Sequence, residues 1–233
     1  MTQRARRFVV VVGITAVICA TAIVQSQQSP VPAPTPAEQS THTASPATDA
    51  LAQLPIKGRA PKTGYSRDQF GNGWAQVGGC DMRNLVLRRD LASPHIGEDG
   101  CAVLSGTLAD PYTSQSIQFQ RGPGTSDDVQ IDHVVALSDA WQKGAQQLPP
   151  EQRQAFANDD LNLLAVHGPT NQKKGDGDAA TWLPPNKDYR CPYVARQIAV
   201  KHKYTLWVTQ AEHDAIVQIL QNCPGQPLPI IKS

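Results

Sequence analysis

The stretch Ile131-Asp132-His133-Val134-Val135 sets a carboxylate and an imidazole side by side in an apolar run. Downstream, Asn171-Gln172-Lys173-Lys174-Gly175 adds an amide and two ammonium groups, and Asn158-Asp159-Asp160-Leu161-Asn162 lies between the two. Asp132 offers a hard anionic oxygen, Asn171 a neutral one, and His133 a proton acceptor whose ordinary pKa of roughly 6.5 leaves it free near neutral pH. Phosphodiester hydrolysis needs an activated water, neutralisation of the charge developing on phosphate, and stabilisation of the leaving alkoxide. His133 as general base meets the first need. A hard cation on Asp132 and Asn171 meets the other two, and magnesium, or manganese in its place, keeps enough waters for two protein oxygens to suffice. Each residue also has a structural use: an Asp-His hydrogen bond within a strand, Asn162 on turn backbone, Asn171 as a helix cap, Lys173 and Lys174 as a solvated face. Taken singly, residues of these types are more often put to that structural use.

Holding these groups together requires particular elements. Val129–Leu137 reads as a strand and Leu161–Val166 as a short buried one, with the helices Ser138–Gln146 and Pro150–Ala157 between them. His167-Gly168-Pro169-Thr170 reads as a turn leading to a short helix from Asn171. Successive strand residues point to opposite sides, so Asp132 and His133 require a local twist or bulge to serve one phosphate.

Upstream, the glycine-rich run from Leu54 to Asp81 reads as loop, with Tyr65, Phe70 and Trp74 as anchors on the core rather than a base-stacking platform. Met82–Leu91 has helical spacing, and Cys101–Leu108 and Ser116–Gln120 read as strands joined by the turn Asp110-Pro111-Tyr112-Thr113. His95, beside Pro94, is expected in a loop as an exposed bystander. Cys191–Tyr204 and a helix opened by the capping pair Thr209 and Glu212 form a carboxy-terminal helical pair, with His202 and His213 structural or solvated.

With 233 residues and a formal charge of +1, the chain has room for one ordinary domain. Arg4, Arg6 and Arg7 belong to an amino-terminal leader, and without them the balance turns slightly acidic. That excludes a strongly basic, non-specific nucleic-acid binder. The basic Met1–Arg7, the apolar Phe8–Val24 and the small-x-small Ala20-Thr21-Ala22 have the layout of a secretory signal, with an uncleaved anchor as the competing reading. Residues 1–25 are therefore read as signal or anchor, 26–53 as a disordered Pro/Ser/Thr/Ala-rich linker, 54–223 as the folded domain and 224–233 as a tail. A membrane is a partner only if the leader is uncleaved, and no feature specifies a protein partner. Cys80, Cys101, Cys191 and Cys223 allow three connectivities. Cys80 with Cys101 and Cys191 with Cys223 is the favoured pairing, and the absence of any C-x-x-C spacing argues against zinc.

Asp132-His133-Val134-Val135, Asn162 and Asn171-x-x-Lys174 resemble the HNH, or ββα-metal, nucleases. Phe156-Ala157-Asn158-Asp159, Leu161-Asn162-Leu163-Leu164, Asn171-Gln172-Lys173-Lys174-Gly175-Asp176 and Trp182-Leu183-Pro184-Pro185 are similar to exported actinobacterial HNH proteins, related to the carboxy-terminal nuclease domain of GmrSD-type restriction enzymes. Cys80-Asp81-x-Arg83-Asn84 and Gly106-Thr107-Leu108-x-Asp110-Pro111-Tyr112 extend the likeness upstream.

The resemblance implies an α+β fold: a ββα-metal core, a disulfide-braced amino-terminal part and the helical pair. It implies His133 as general base, Asp132 and Asn171 as metal ligands, Asn162 holding the loop or orienting His133, and Lys174, with Lys173 beside it, on phosphate. Asp81, Arg83, Asn84, Asp110 and Arg121 are implied only as supporting residues. Asn171 stands where HNH names a final His, which favours a hard metal over zinc. Ala136 and Leu137 stand where many relatives place a Pro. The expected activity is that of an exported, Mg²⁺- or Mn²⁺-dependent endonuclease acting on nucleic acid, DNA ahead of RNA. The alternative is an exported envelope or nucleic-acid-binding protein that kept the fold and lost catalysis.

Overall fold

The structure, a computed structural model, describes residues 46–229. The signal or anchor expected over 1–25 and most of the linker expected over 26–53 lie outside the described residues. In chain order the elements are α1 (Ala47–Ala52), β1 (Gln76–Val77), β2 (Cys80–Asp81), α2 (Met82–Asp90), β3 (Leu91–Ile96), β4 (Val103–Ala109), β5 (Ser116–Gln120), β6 (Val129–His133), α3 (Leu137–Gln142), α4 (Pro150–Ala157), β7 (Leu163–His167), α5 (Gly168–Lys174), α6 (Arg190–Lys203) and α7 (Gln210–Leu220). The fold is a mixture of α and β with three small antiparallel sheets, β1-β2, β3-β4-β5 and β6-β7. Among the described residues no helix is long and apolar enough to cross a membrane.

The β6-β7 pair carries the chemistry-bearing residues, and its register runs unbroken from Val129 opposite His167 to His133 opposite Leu163. Leu163 and Ala165 pack with α2 and the three-stranded sheet, whereas Leu164 and Val166 pack with α6 and α7. Burial on both faces explains why this strand reads as a continuous apolar run. Each large aliphatic side chain so buried stabilises by about 2 kcal/mol.

Strand β6 stops at His133, short of Leu137 where the apolar run suggested. The fully buried Asn162 removes Val135 from any ladder: its Oδ1 accepts from Val135 N at 2.8 Å and its Nδ2 donates to Val135 O at 3.3 Å. The expected turn at 167–170 is also corrected, because α5 already begins at Gly168 with Pro169 in its first turn. Gly168 presses its backbone onto the Asp127 carbonyl oxygen, where any Cβ would collide.

In the amino-terminal part Asp81 caps α2, accepting from Asn84 N at 2.8 Å, and Asn84 Oδ1 accepts from Val103 N at 3.0 Å. His95 lies in β3 opposite Ser105, not in a loop, and its side chain is exposed. The Pro94 beside it fits an edge strand with an irregular register. Cys80–Cys101 and Cys191–Cys223 are bonded, with Cα atoms 5.2 and 6.4 Å apart. The second ties the start of α6 to the chain just beyond α7.

The boundaries expected at 54 and 223 need correcting on both sides. Ala47, Ala50, Leu51 and Leu54 are buried in the cluster built on Tyr193, Ile198 and Ile216. Ala47 N donates to Gln226 O at 2.8 Å, Pro46 pairs with Pro227, and Leu228 packs on the same cluster. The end of the expected linker and the start of the expected tail thus clasp each other.

Beneath the helical pair lies a buried ion network. Lys143 Nζ lies 2.7 Å from Asp139 Oδ1, 2.7 Å from Asp178 Oδ2 and 2.6 Å from Glu212 Oε2. Lys201 Nζ lies 2.8 Å from Glu212 Oε1 and 3.3 Å from Asp139 Oδ2, and the Arg59 guanidinium reaches Asp139 and Asp178. Three carboxylates meet three cations, so no net charge is buried. Thr209 Oγ1 does accept from Glu212 N at 3.2 Å, but the Glu212 carboxylate serves this network rather than a capping box.

Candidate active site

Asp132 and His133 border one cleft of about 450 Å³, together with Arg67, Trp74, Arg83, Gln130, Ser138, Asn171 and Asp176. No bulge is needed: Asp132 turns to α5, His133 turns to the end of α4, and the cleft spans the end of the strand that carries both.

His133 is nearly buried. Its Nε2 lies 2.9 Å from the Ala157 carbonyl oxygen, which can only accept, so that nitrogen carries the proton and Nδ1 is the open acceptor. The indole of Trp74 stacks parallel to the imidazole, with centroids 5.9 Å apart and planes 8° apart. Burial, assisted by the charges of Arg67 and Lys174 and opposed by the Ala157 carbonyl, depresses the His133 pKa to about 4. The ring is therefore neutral at pH 7.

Asp132 is held from two sides. Its Oδ1 accepts from Lys174 Nζ at 2.8 Å and its Oδ2 from the Tyr112 hydroxyl at 2.5 Å. Burial, reinforced by the Asp132 charge, pushes the Tyr112 phenol well above its ordinary pKa, so it stays a donor. Lys174 Nζ also donates to His133 O at 2.7 Å. That corrects the expected phosphate contact: Lys174 is buried and its ammonium is committed to Asp132 and backbone. Lys173 remains exposed on α5, bordering a neighbouring cavity with Lys62 and Asp176. The cations that line the cleft itself are Arg67 and Arg83.

Asn171 Nδ2 donates to Gln130 Oε1 at 3.0 Å, which leaves its Oδ1 as an acceptor beside the cleft. Asn162 lies behind the cleft and fixes the segment after His133, with Val134 N donating to its carbonyl at 2.8 Å. Among the described residues no three His, Cys, Asp or Glu side chains cluster closely enough to hold a metal by themselves. The oxygens expected to hold a cation are those of Asp132, whose carboxylate keeps lone pairs beyond the two bonds it accepts, and Asn171, and Gln130, Ser138 and Asp176 add side-chain oxygens to the same lining. That donor set suits a hard cation retaining most of its waters and does not suit zinc.

Over residues 81–219 the chain matches the family described as GmrSD restriction endonucleases, C-terminal domain. The chain belongs to this family. The matched span of the GmrSD C-terminal domain runs from the α2 cap to the last turn of α7 and contains every residue of the cleft except Tyr65, Arg67 and Trp74. An "uncharacterized secreted protein" of the fungus Arthroderma benhamiae is 40% identical over 195 residues, spanning 82% of this chain and 92% of that protein. That relative is fungal and lends nothing to the narrower actinobacterial grouping. No solved structure matches the chain.

Of the residues carried by resemblance alone, Asp81, Asn84 and Arg121 brace α2 against β4. Arg121 Nε donates to Val103 O at 2.7 Å. Asp110 accepts from His167 N at 2.9 Å. Arg83 reaches Val129 O at 3.2 Å and also lines the cleft. Tyr112 and Trp74 had no assigned place beside Asp132 and His133, since contacts between residues so far apart along the chain leave no mark in spacing.

Proposed function

We propose that this GmrSD-family domain is a secreted HNH-type endonuclease built on a ββα-metal core, β6-β7-α5, that hydrolyses nucleic-acid phosphodiesters with His133 as general base. The observation that carries this reading is the His133 ring: one nitrogen tied to the Ala157 carbonyl, the other free, neutral at pH 7, in a cleft shared with Asp132 and Asn171. Such a ring accepts a proton from water without first losing one. Arg83 supplies positive charge to a phosphate in a chain whose overall charge does not. Lys174 and Tyr112 hold the Asp132 carboxylate in place, Asn162 braces the loop after His133, and exposed Lys173 meets a flanking phosphate.

Asp132 and Asn171 are the residues that would hold a divalent ion, Mg²⁺ or Mn²⁺, which when bound supplies charge to the phosphate and leaving oxygens. The family's name supports DNA ahead of RNA, and the name of the fungal relative together with two disulfides supports export. A second reading, a binding protein on the same fold, draws on one observation: an ammonium already lies on the Asp132 oxygen.

The test is nicking of supercoiled plasmid by the oxidised protein with Mg²⁺, with Mn²⁺ and with EDTA, beside His133→Ala. Metal-dependent nicking reduced at least ~100-fold in the variant is expected. Equal activity in both proteins rejects His133 as base, and no cleavage of DNA or RNA under either metal favours the binding reading.

A further inference from the structure

The His133 ring has a cavity on each side. Besides the cleft, a second cavity of about 270 Å³ borders His133 and Trp74, and Arg67 lies on the rim common to both. Its size suits one planar ring system and is below that of a pocket for a drug-sized ligand. Phe70 and Trp74 give the wall two aromatic side chains, the first buried and the second half-buried, and Leu137 and Ala157 complete its apolar part. Gly71 and Gly73, with φ of 96° and 79°, contribute bare backbone to the same wall. They hold a left-handed conformation that side chains rarely adopt, and they let a flat ligand approach the main chain closely.

The polar part is a consecutive Arg67-Asp68 pair in a 3-10 turn. Both side chains are exposed, and neither has an ion-pair partner among the described residues. One carries only donors and the other only acceptors. A structural salt link would have paired them inward, as Arg89 pairs with Asp90. Here both are left on a cavity wall beside the proposed base.

We infer that this cavity is a nucleobase pocket that selects guanine next to the phosphate to be cleaved. The inference rests on the nuclease reading for its link to cleavage, but not for binding. Guanine alone among the common bases presents two adjacent N–H donors, N1 and N2, for bidentate acceptance by the Asp68 carboxylate. Its O6 and N7 acceptors complement Arg67. Trp74 and Phe70 supply the aromatic surroundings that an unstacked base requires. The pocket adjoins the cleft at His133, so a base seated there leaves its own phosphate at the catalytic face.

The experiment is calorimetric titration of the full oxidised protein with the 5′-monophosphates of guanosine, adenosine, cytidine and uridine, repeated on Asp68→Asn and Arg67→Gln. Asp68 is exposed, so its substitution does not threaten folding. Guanosine monophosphate is expected to bind about tenfold more tightly than the others, and Asp68→Asn is expected to reduce that advantage to less than twofold. Equal affinities, adenosine preference, or no binding overturns the pocket. Cleavage positions mapped on a mixed-sequence strand separate the two ideas. Cleavage without guanine selectivity removes the pocket and spares the nuclease. Guanine-selective binding without cleavage removes the nuclease and spares the pocket.

Discussion

Lys174 Nζ lies 2.8 Å from Asp132 Oδ1 in the buried interior, and the same ammonium reaches His133 O at 2.7 Å. A cation placed there fixes both adjacent residues of the strand end from the C-terminal turn of α5. Removing it leaves a buried carboxylate supported by Tyr112 alone. Lys174→Met is therefore expected to destabilise the protein by about 3 kcal/mol, on the order of 10 °C in Tm, whereas Lys173→Met changes Tm by no more than about 2 °C. Thermal unfolding followed by circular dichroism measures both. Equal Tm values for the two variants would show that the ammonium contributes nothing to the Asp132 site.

The buried ion network sets the acid limit of the fold. Burial alone would raise the Asp178 pKa, but the hydrogen bond and charge of Lys143, with the charge of Arg59, outweigh it and hold the carboxyl at about 2. A depressed carboxyl stabilises the folded state above its unfolded pKa of roughly 3.9, and that contribution is lost as pH falls through the folded value. Stability is expected to fall by about 2 kcal/mol between pH 4 and pH 2 from this group. In Asp178→Asn, urea unfolding should show lower stability at pH 7 and a shallower loss across that window. An unchanged slope would remove Asp178 from the acid response.

How much of this was legible in the sequence varied with the range of the interaction. The β6-β7 pair, α2, α4 and the terminal helical pair follow from local periodicity and capping, and both disulfides follow the favoured pairing. Helix α1 escaped because Ala47, Ala50 and Leu51 stand at helical spacing inside an Ala/Thr/Pro-rich tract, where composition argued for disorder. Lys143, Lys201 and Glu212 escaped for a different reason. A charged residue at helical spacing looks solvated unless its partners are known, and Lys143 finds Asp178 and Glu212 at 35 and 69 residues' distance along the chain. At the site, motif spacing and the family likeness together pointed to Asp132, His133 and Asn171, and all three border one cleft with Asn162 behind it. The inward turn of Lys174 was not, because an ammonium that binds phosphate and one that binds a carboxylate occupy the same place in a pattern.

The Cys191–Cys223 bond closes a loop of 32 residues around the helical pair that buries α1. Loop-closure entropy for that span corresponds to about 4 kcal/mol, acting mainly on the unfolded chain. The double variant Cys191→Ser, Cys223→Ser should lose about that much stability in guanidinium unfolding. Its nicking rate at 20 °C should stay within about twofold, since neither cysteine borders the cleft. A large loss of activity with unchanged stability would show that the bond shapes the site instead.

The end of α4 controls the geometry of His133 through two neighbouring residues. Ala157 O accepts a hydrogen bond from the ring's Nε2–H, while Asn158 Oδ1 accepts from Ala75 N at 2.8 Å and so fixes the residue after Trp74, whose indole stacks on the ring. Edge and face are thus referenced to one helix terminus, and Asn158 acts on the imidazole only through Trp74. Asn158→Ala is expected to lower kcat about tenfold with KM within twofold, and Asn158→Asp, which keeps the acceptor, should recover most of the loss. The stacked indole should also displace the His133 ring proton resonances upfield. That displacement should vanish in Trp74→Leu, persist in Trp74→Phe, and shrink in Asn158→Ala. Such a pattern separates positioning of the ring from general destabilisation, which would move kcat and melting together and would not be rescued by an acceptor. If the ring resonances are the same in all four proteins, Trp74 does not hold His133 and the link through Asn158 fails with it.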